Sequence, residues 1–122
     1  MDLLEAFPSV STQRVHQTIE WRLGPILKLE FPHLSTKQRQ ELHQILTLLC
    51  TRNGCLPQGA PTSGYLLNLV CARLDRKIFG FAMQSGLPQV RYSRYADDLT
   101  LTSSGILRQD HLLMIHWWCH VC

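Results

Sequence analysis

Asp97 and Asp98 are adjacent carboxylates lying between two stretches rich in β-branched and aromatic residues, 90–95 and 99–102. Such stretches read as strands, which puts the pair at the tip of a hairpin. Two like charges at a tip repel each other, and little counter-charge can gather there. The ordinary explanation is an exposed turn, where Asp is common. The chemical alternative is a hard-cation site, because Mg²⁺ takes a few carboxylates together with waters and phosphate oxygens. On these two residues alone the turn is the better explanation. Arg91 and Arg94, on the strand before the tip, are candidate phosphate contacts, with a solvated strand face nearly as good an account. At the carboxyl end, Cys119, His120 and Cys122 with His111 and His116 suggest zinc, but four convergent ligands in separated pairs are not evident. Helix residues without a metal explain them better.

The elements that must position these groups can be read from periodicity. Ser11 precedes a helical pattern with Val15, Ile19 and Leu23 on one face, and Gly24-Pro25 is expected to end it. Ser35 and Gln38 have capping-box spacing ahead of a second helix, whose expected apolar stripe is Leu42, Ile45, Leu46 and Leu49. Asn53-Gly54 predicts a tight turn within a short hairpin. After the loop 56–60, Pro61 suits the first turn of a third helix with Leu67, Cys71, Leu74 and Ile78 buried, ending at Gly80 or Gly86. Asp110 is a cap for a last helix carrying Leu112, Leu113, Ile115 and Cys119. This order predicts an α+β domain, helices packed on one face of a small antiparallel sheet.

Composition sets bounds without naming a function. The 122 residues are 45% hydrophobic and 17% charged, ordinary for a globular chain. No apolar run is long enough to span a membrane. The start, Met1-Asp2-Leu3-Leu4-Glu5, lacks the basic region of a signal peptide, so the expected location is cytoplasmic. Five cysteines, an odd number, suit reduced thiols in that setting. The net charge of +3 permits a nucleic-acid partner without demonstrating one.

Three segments together change the reading of the acidic pair. The run Tyr92-Ser93-Arg94-Tyr95-Ala96-Asp97-Asp98-Leu99-Thr100-Leu101 closely resembles the acidic hairpin of bacterial reverse transcriptases of the retron and group II intron type. Leu56-Pro57-Gln58-Gly59-Ala60-Pro61-Thr62-Ser63 resembles a second signature of that family, continued by Asn68 and Leu74-Asp75. Asp2-Leu3-Leu4-Glu5-Ala6-Phe7-Pro8-Ser9-Val10 resembles its first catalytic motif. The likeness runs in the family's order from Asp2 to about Ser104.

The resemblance implies a polymerase palm, residues 1–122 forming a partial palm domain without fingers and thumb. It implies RNA-directed DNA polymerase activity on an RNA template, a DNA primer and deoxynucleoside triphosphates, with two Mg²⁺ ions, or Mn²⁺ in their place. Two cations roughly 3.5–4 Å apart stabilise the attacking and leaving oxygens of phosphoryl transfer, and holding them takes carboxylates from separate segments. Asp2, Asp97 and Asp98 are the implied catalytic and metal residues. Leu3, Glu5, Ala6, Phe7, Gln58 and Gly59 are implied at the nucleotide, with backbone amides of 5–7 at the triphosphate and Phe7 against the sugar 2′ position. Tyr95, Arg94 and Pro57 are implied at primer or template. Without its neighbours, Phe7 would read as a core residue and the Pro57-Gln58-Gly59 loop as a simple helix entry.

The chain also departs from the family pattern. It starts one residue before Asp2, no lysine follows Lys77, and Gly64 and Leu67 stand where relatives commonly carry proline and serine. The missing segments, or a cognate structured RNA, are therefore expected partners. The alternative to an enzyme is an inactive remnant that binds nucleic acid or serves as an interaction module.

Overall fold

The computed structural model describes residues 5–121, and side chains as far as residue 116. Among the described residues the elements run α1 (Ala6–Ser9), α2 (Thr12–Glu30), α3 (Thr36–Cys50), α4 (Ser63–Gln84), β1 (Arg91–Tyr95), β2 (Asp98–Thr102) and α5 (Gln109–Val121). The architecture is α+β, as expected. The chain divides into two compact units, residues 5–70 and residues 71–121, with the division falling inside α4.

In the first unit, short-range signals account for the ends of the elements. Ser11 caps α2, its side chain accepting from the Arg14 amide at 3.3 Å. Ser35 and Gln38 form the expected capping box on α3, at 3.2 and 2.8 Å. Asn53 (φ 53°) and Gly54 (φ 81°) are both left-handed, as a two-residue hairpin turn of the twist-compatible kind requires. Arg52 and Cys55 exchange both backbone bonds across it, at 2.9 and 3.1 Å, so the expected hairpin is reduced to one closing pair.

Two expectations fail here. The helix does not end at Gly24-Pro25 but continues to Glu30 with Pro25 inside it. Proline forfeits one intrahelical bond, yet α2 packs along α3, and Gly24 sits so near it that a Cβ would lie 3.7 Å from His43 Cε1. Nor is the α3 stripe the expected one. His43 and Thr47 are buried, whereas Ile45 (53%) and Leu49 (77%) are exposed. The face turned to α2 carries Thr47, whose hydroxyl donates to the His43 carbonyl at 2.7 Å and lies 3.1 Å from His16 Nδ1. Polar pairing on that face was not visible in an apolar count.

The second unit is a two-stranded antiparallel sheet against helices. Its core joins Leu74 and Ile78 of α4, Leu99 of β2 and Ile115 of α5, with Phe81, Tyr92 and Leu101 packed around them. Leu67, Leu74 and Ile78 are buried as the α4 stripe predicts, while Cys71 is half-buried. The helix passes through Gly80, and Gly86 (φ 67°) follows its end. Helix α5 begins one residue ahead of Asp110, burying Ile115 but leaving Leu112 and Leu113 exposed. The Cys119 side chain lies outside the described residues.

Candidate active site

The register of the hairpin decides which residues reach its tip. Tyr95 pairs with Asp98, leaving Ala96 and Asp97 as a two-residue turn. Strand alternation then sends Tyr92, Arg94, Leu99 and Leu101 to the face packed on the helices. Arg91, Ser93, Tyr95, Asp98, Thr100 and Thr102 occupy the exposed face, and Tyr95 is 85% exposed. Asp97 is half-buried in the turn. Ala96 has φ 51°, a left-handed conformation that costs a residue with a Cβ about 1–2 kcal/mol.

That turn is tied to α4 by a polar cluster. Arg94 Nε donates to Asp75 Oδ1 and Nη2 to Oδ2, both at 2.8 Å, while Nη1 donates to the Ala96 carbonyl at 2.7 Å. Tyr92 donates its hydroxyl to Asp75 Oδ1 at 2.7 Å. Burial by itself would raise the Asp75 carboxyl, but hydrogen bonds from Arg94 and Tyr92, with the Arg94 charge, hold it below the ordinary carboxylate value. Tyr92 is pushed well above a normal phenol by burial first, then by its bond to Asp75 and that charge. Arg94 is raised by its bond to Asp75 against the opposing effect of burial. The cluster is thus Arg⁺, Asp⁻ and neutral Tyr at physiological pH.

Arg94, expected at primer or template, turns its guanidinium inward, and only 5% of its side chain is exposed. Sequence reasoning assigned no role to Asp75 or Tyr92. One signal was available: Tyr92 and Arg94 are polar residues two apart, on the same strand face as Leu99 and Leu101, and a charge on a buried face requires a partner.

In the first unit, two expected nucleotide segments are joined through the backbone. Leu56, fully buried, donates its amide to the Val10 carbonyl at 3.0 Å, and Thr12 donates to Gly54 at 2.9 Å. These bonds tie the chain just after α1, which carries Ala6 and Phe7, to the residues just before the loop carrying Pro57, Gln58 and Gly59. Ala6 is buried, Phe7 half-buried and Glu5 left-handed at φ 50°. Gln58 and Gly59 are exposed, and Gly59 takes φ 83° with open space around it. Asp2 and Leu3 lie outside the described residues.

Among the described residues no group of three or more His, Cys, Asp or Glu converges on a metal-sized site. The tip does offer two carboxylates, hard oxygen donors of the kind Mg²⁺ accepts. The donor chemistry therefore fits, with further ligands still needed.

Comparison with known proteins decides the kinship. No protein-family model matches the chain. The retron Ec86 reverse transcriptase of Escherichia coli is 37% identical over 106 residues, which is 87% of this chain and 28% of that protein. The retron Mx162 reverse transcriptase of Myxococcus xanthus is 38% identical over 108 residues, 84% of this chain and 21% of its own length. The retron Mx65 reverse transcriptase of the same organism is 37% identical over 111 residues, covering 87% and 25%.

The chain is homologous to retron reverse transcriptases. It spans about a quarter of the length of the relatives it matches. A matched stretch of 106 residues within 122 necessarily takes in both the Gln58 loop and the Asp97–Asp98 tip. The likeness thus bears on the segments that carry the candidate chemistry, and not on the helices alone. No helix among the described residues is long and apolar enough to cross a membrane.

Proposed function

We propose that this chain is the palm of an RNA-directed DNA polymerase, adding deoxynucleotides to a primer 3′ end on an RNA template. The observation that carries the reading is the Asp97–Asp98 pair, Asp97 in the two-residue hairpin turn and Asp98 in the pair that closes it, in a chain with retron reverse-transcriptase relatives. Asp97 and Asp98, with Asp2, would hold two Mg²⁺ ions. When bound, the metals supply charge stabilisation at the attacking and leaving oxygens.

The remaining roles belong to the chain's own groups. Phe7 bars a 2′-hydroxyl by its bulk, the amides of Glu5, Ala6 and Phe7 receive the triphosphate, and Leu3 is a further nucleotide contact. Gln58, which can donate and accept, meets the incoming nucleotide, with Gly59 permitting close backbone approach. Pro57 and Tyr95 face the template and the primer end. Arg94 serves the same nucleic-acid site through the turn it holds.

The test replaces the matching segment of the Ec86 relative with this chain and follows primer extension on an RNA template. Extension is expected with Mg²⁺, and Asp97→Asn should reduce it at least ~10³-fold while the melting temperature stays close to wild type, because the charge serves the cations and not the core. Undiminished extension by the Asn variant would overturn the assignment.

A further inference from the structure

We propose that Arg94, locked by Asp75 and Tyr92, is a positioning residue that sets the orientation of Asp97 for catalysis. The proposal rests on the polymerase reading for its catalytic consequence, but its structural claim stands on the cluster geometry.

Three observations carry it. The Arg94 guanidinium uses all three nitrogens: two form a parallel fork on the Asp75 carboxylate, and the third reaches the Ala96 carbonyl at 2.7 Å. The Ala96 carbonyl belongs to the peptide plane that leads into Asp97, so the bond restrains the direction in which the Asp97 side chain leaves the backbone. Second, Ala96 is held at φ 51°, which an alanine does not choose unaided. Third, Asp75 lies on α4, a 22-residue helix, so the tip takes its reference from a rigid element. A two-stranded hairpin by itself is marginal in water, and its tip moves most. Metal-assisted transfer tolerates misplacement of only a fraction of an ångström.

The chemistry of the cluster suits a fixed orientation better than a simple charge pair. Bidentate Arg–carboxylate geometry is planar and directional, and a lysine cannot reproduce it. Tyr92 adds a third bond to Asp75 Oδ1 at 2.7 Å, which fixes the carboxylate against rotation. The plane of Asp75 sets the plane of Arg94, and Arg94 in turn sets the Ala96–Asp97 peptide.

The experiment has two readouts. Arg94→Lys keeps the charge but removes the fork and the reach to Ala96. In the Ec86 chimera, kcat should fall roughly 10–100-fold with the deoxynucleotide KM within about 3-fold, and the half-saturating Mg²⁺ concentration should rise. In the full 122-residue chain, amide hydrogen exchange at Asp97 and Asp98 should accelerate by about 10-fold or more while the α5 amides keep their rates. An unchanged exchange rate at the tip, or a kcat loss that merely follows a lowered melting temperature, would overturn the proposal. If Arg94→Lys is unfolded at the assay temperature, Tyr92→Phe replaces it. Faster tip exchange in that variant supports the brace, and an unchanged rate refutes it. If the wild-type chimera fails to extend a primer, the polymerase reading is what fails, and the exchange measurement still judges the brace.

Discussion

At the scale of single residues, the tip illustrates how charge, burial and backbone strain are combined. Asp75 is depressed below its ordinary carboxylate pKa of 3.8, so its contribution to stability is fully present above that value and is lost as pH falls through its folded value. Tyr92 is raised above its ordinary value of 10.0, so its contribution is fully present below pH 10 and is lost as pH rises further. The cluster therefore holds across the neutral range and weakens at both extremes. Denaturant midpoints measured from pH 3 to 11 should show an acid limb and an alkaline limb. Tyr92→Phe should flatten the alkaline limb and keep the acid one; an alkaline limb of undiminished size in that variant contradicts the assignment. Phe7 raises a different residue-level question, since half-burial suits both a packing ring and a sugar gate. In the chimera, Phe7→Ala should raise the kcat/KM for ribonucleotides relative to deoxyribonucleotides, roughly 10-fold or more, because specificity is a ratio of such values. Equal losses on both substrates would make Phe7 a packing residue.

At the scale of elements, the local rules worked where a few neighbouring residues decide the outcome. Ser35 with Gln38 reads as a capping box and is one. Asn53-Gly54 reads as a tight turn, and both residues take the positive φ that such a turn demands. The rules failed where a neighbouring helix outweighed a local signal. Pro25 is exposed and interior to α2, where proline is about 3 kcal/mol less favourable than alanine. Pro25→Ala should therefore stabilise the chain by roughly 1–3 kcal/mol, read as a higher urea midpoint at constant slope. No gain would mean that the backbone at this point has already adapted to the missing bond. The α3 stripe failed for a related reason. Leu49 and Ile45 carry the apolar signal, but the side facing α2 is occupied by His43 and Thr47. Counting apolar residues at helical spacing cannot tell which side a partner helix will cover.

At the scale of the whole molecule, a net charge of +3 and an ordinary composition identify no partner, while three short motifs resemble those of reverse transcriptases, the proteins to which the chain is homologous. Within the sequence, spacing and residue type were enough to determine the acidic tip, its strands, the Asn53-Gly54 turn and the buried line Leu67, Leu74 and Ile78. Each depends on interactions between residues no more than a few positions apart, or on one periodic face. The partner of Arg94 was decided only by tertiary structure. Asp75 lies 19 residues away on another element, and nothing in either residue's neighbourhood names the other. Strand alternation puts Arg94 on the face of Tyr92, but it cannot say whether phosphate, solvent or a protein group waits there. The fold supplies a carboxylate at hydrogen-bonding distance, and that converts an arginine expected to meet phosphate into one that holds the turn before Asp97. Long-range ion pairs depend on how elements pack, and packing is determined by the summed burial of many residues rather than by any short run of sequence.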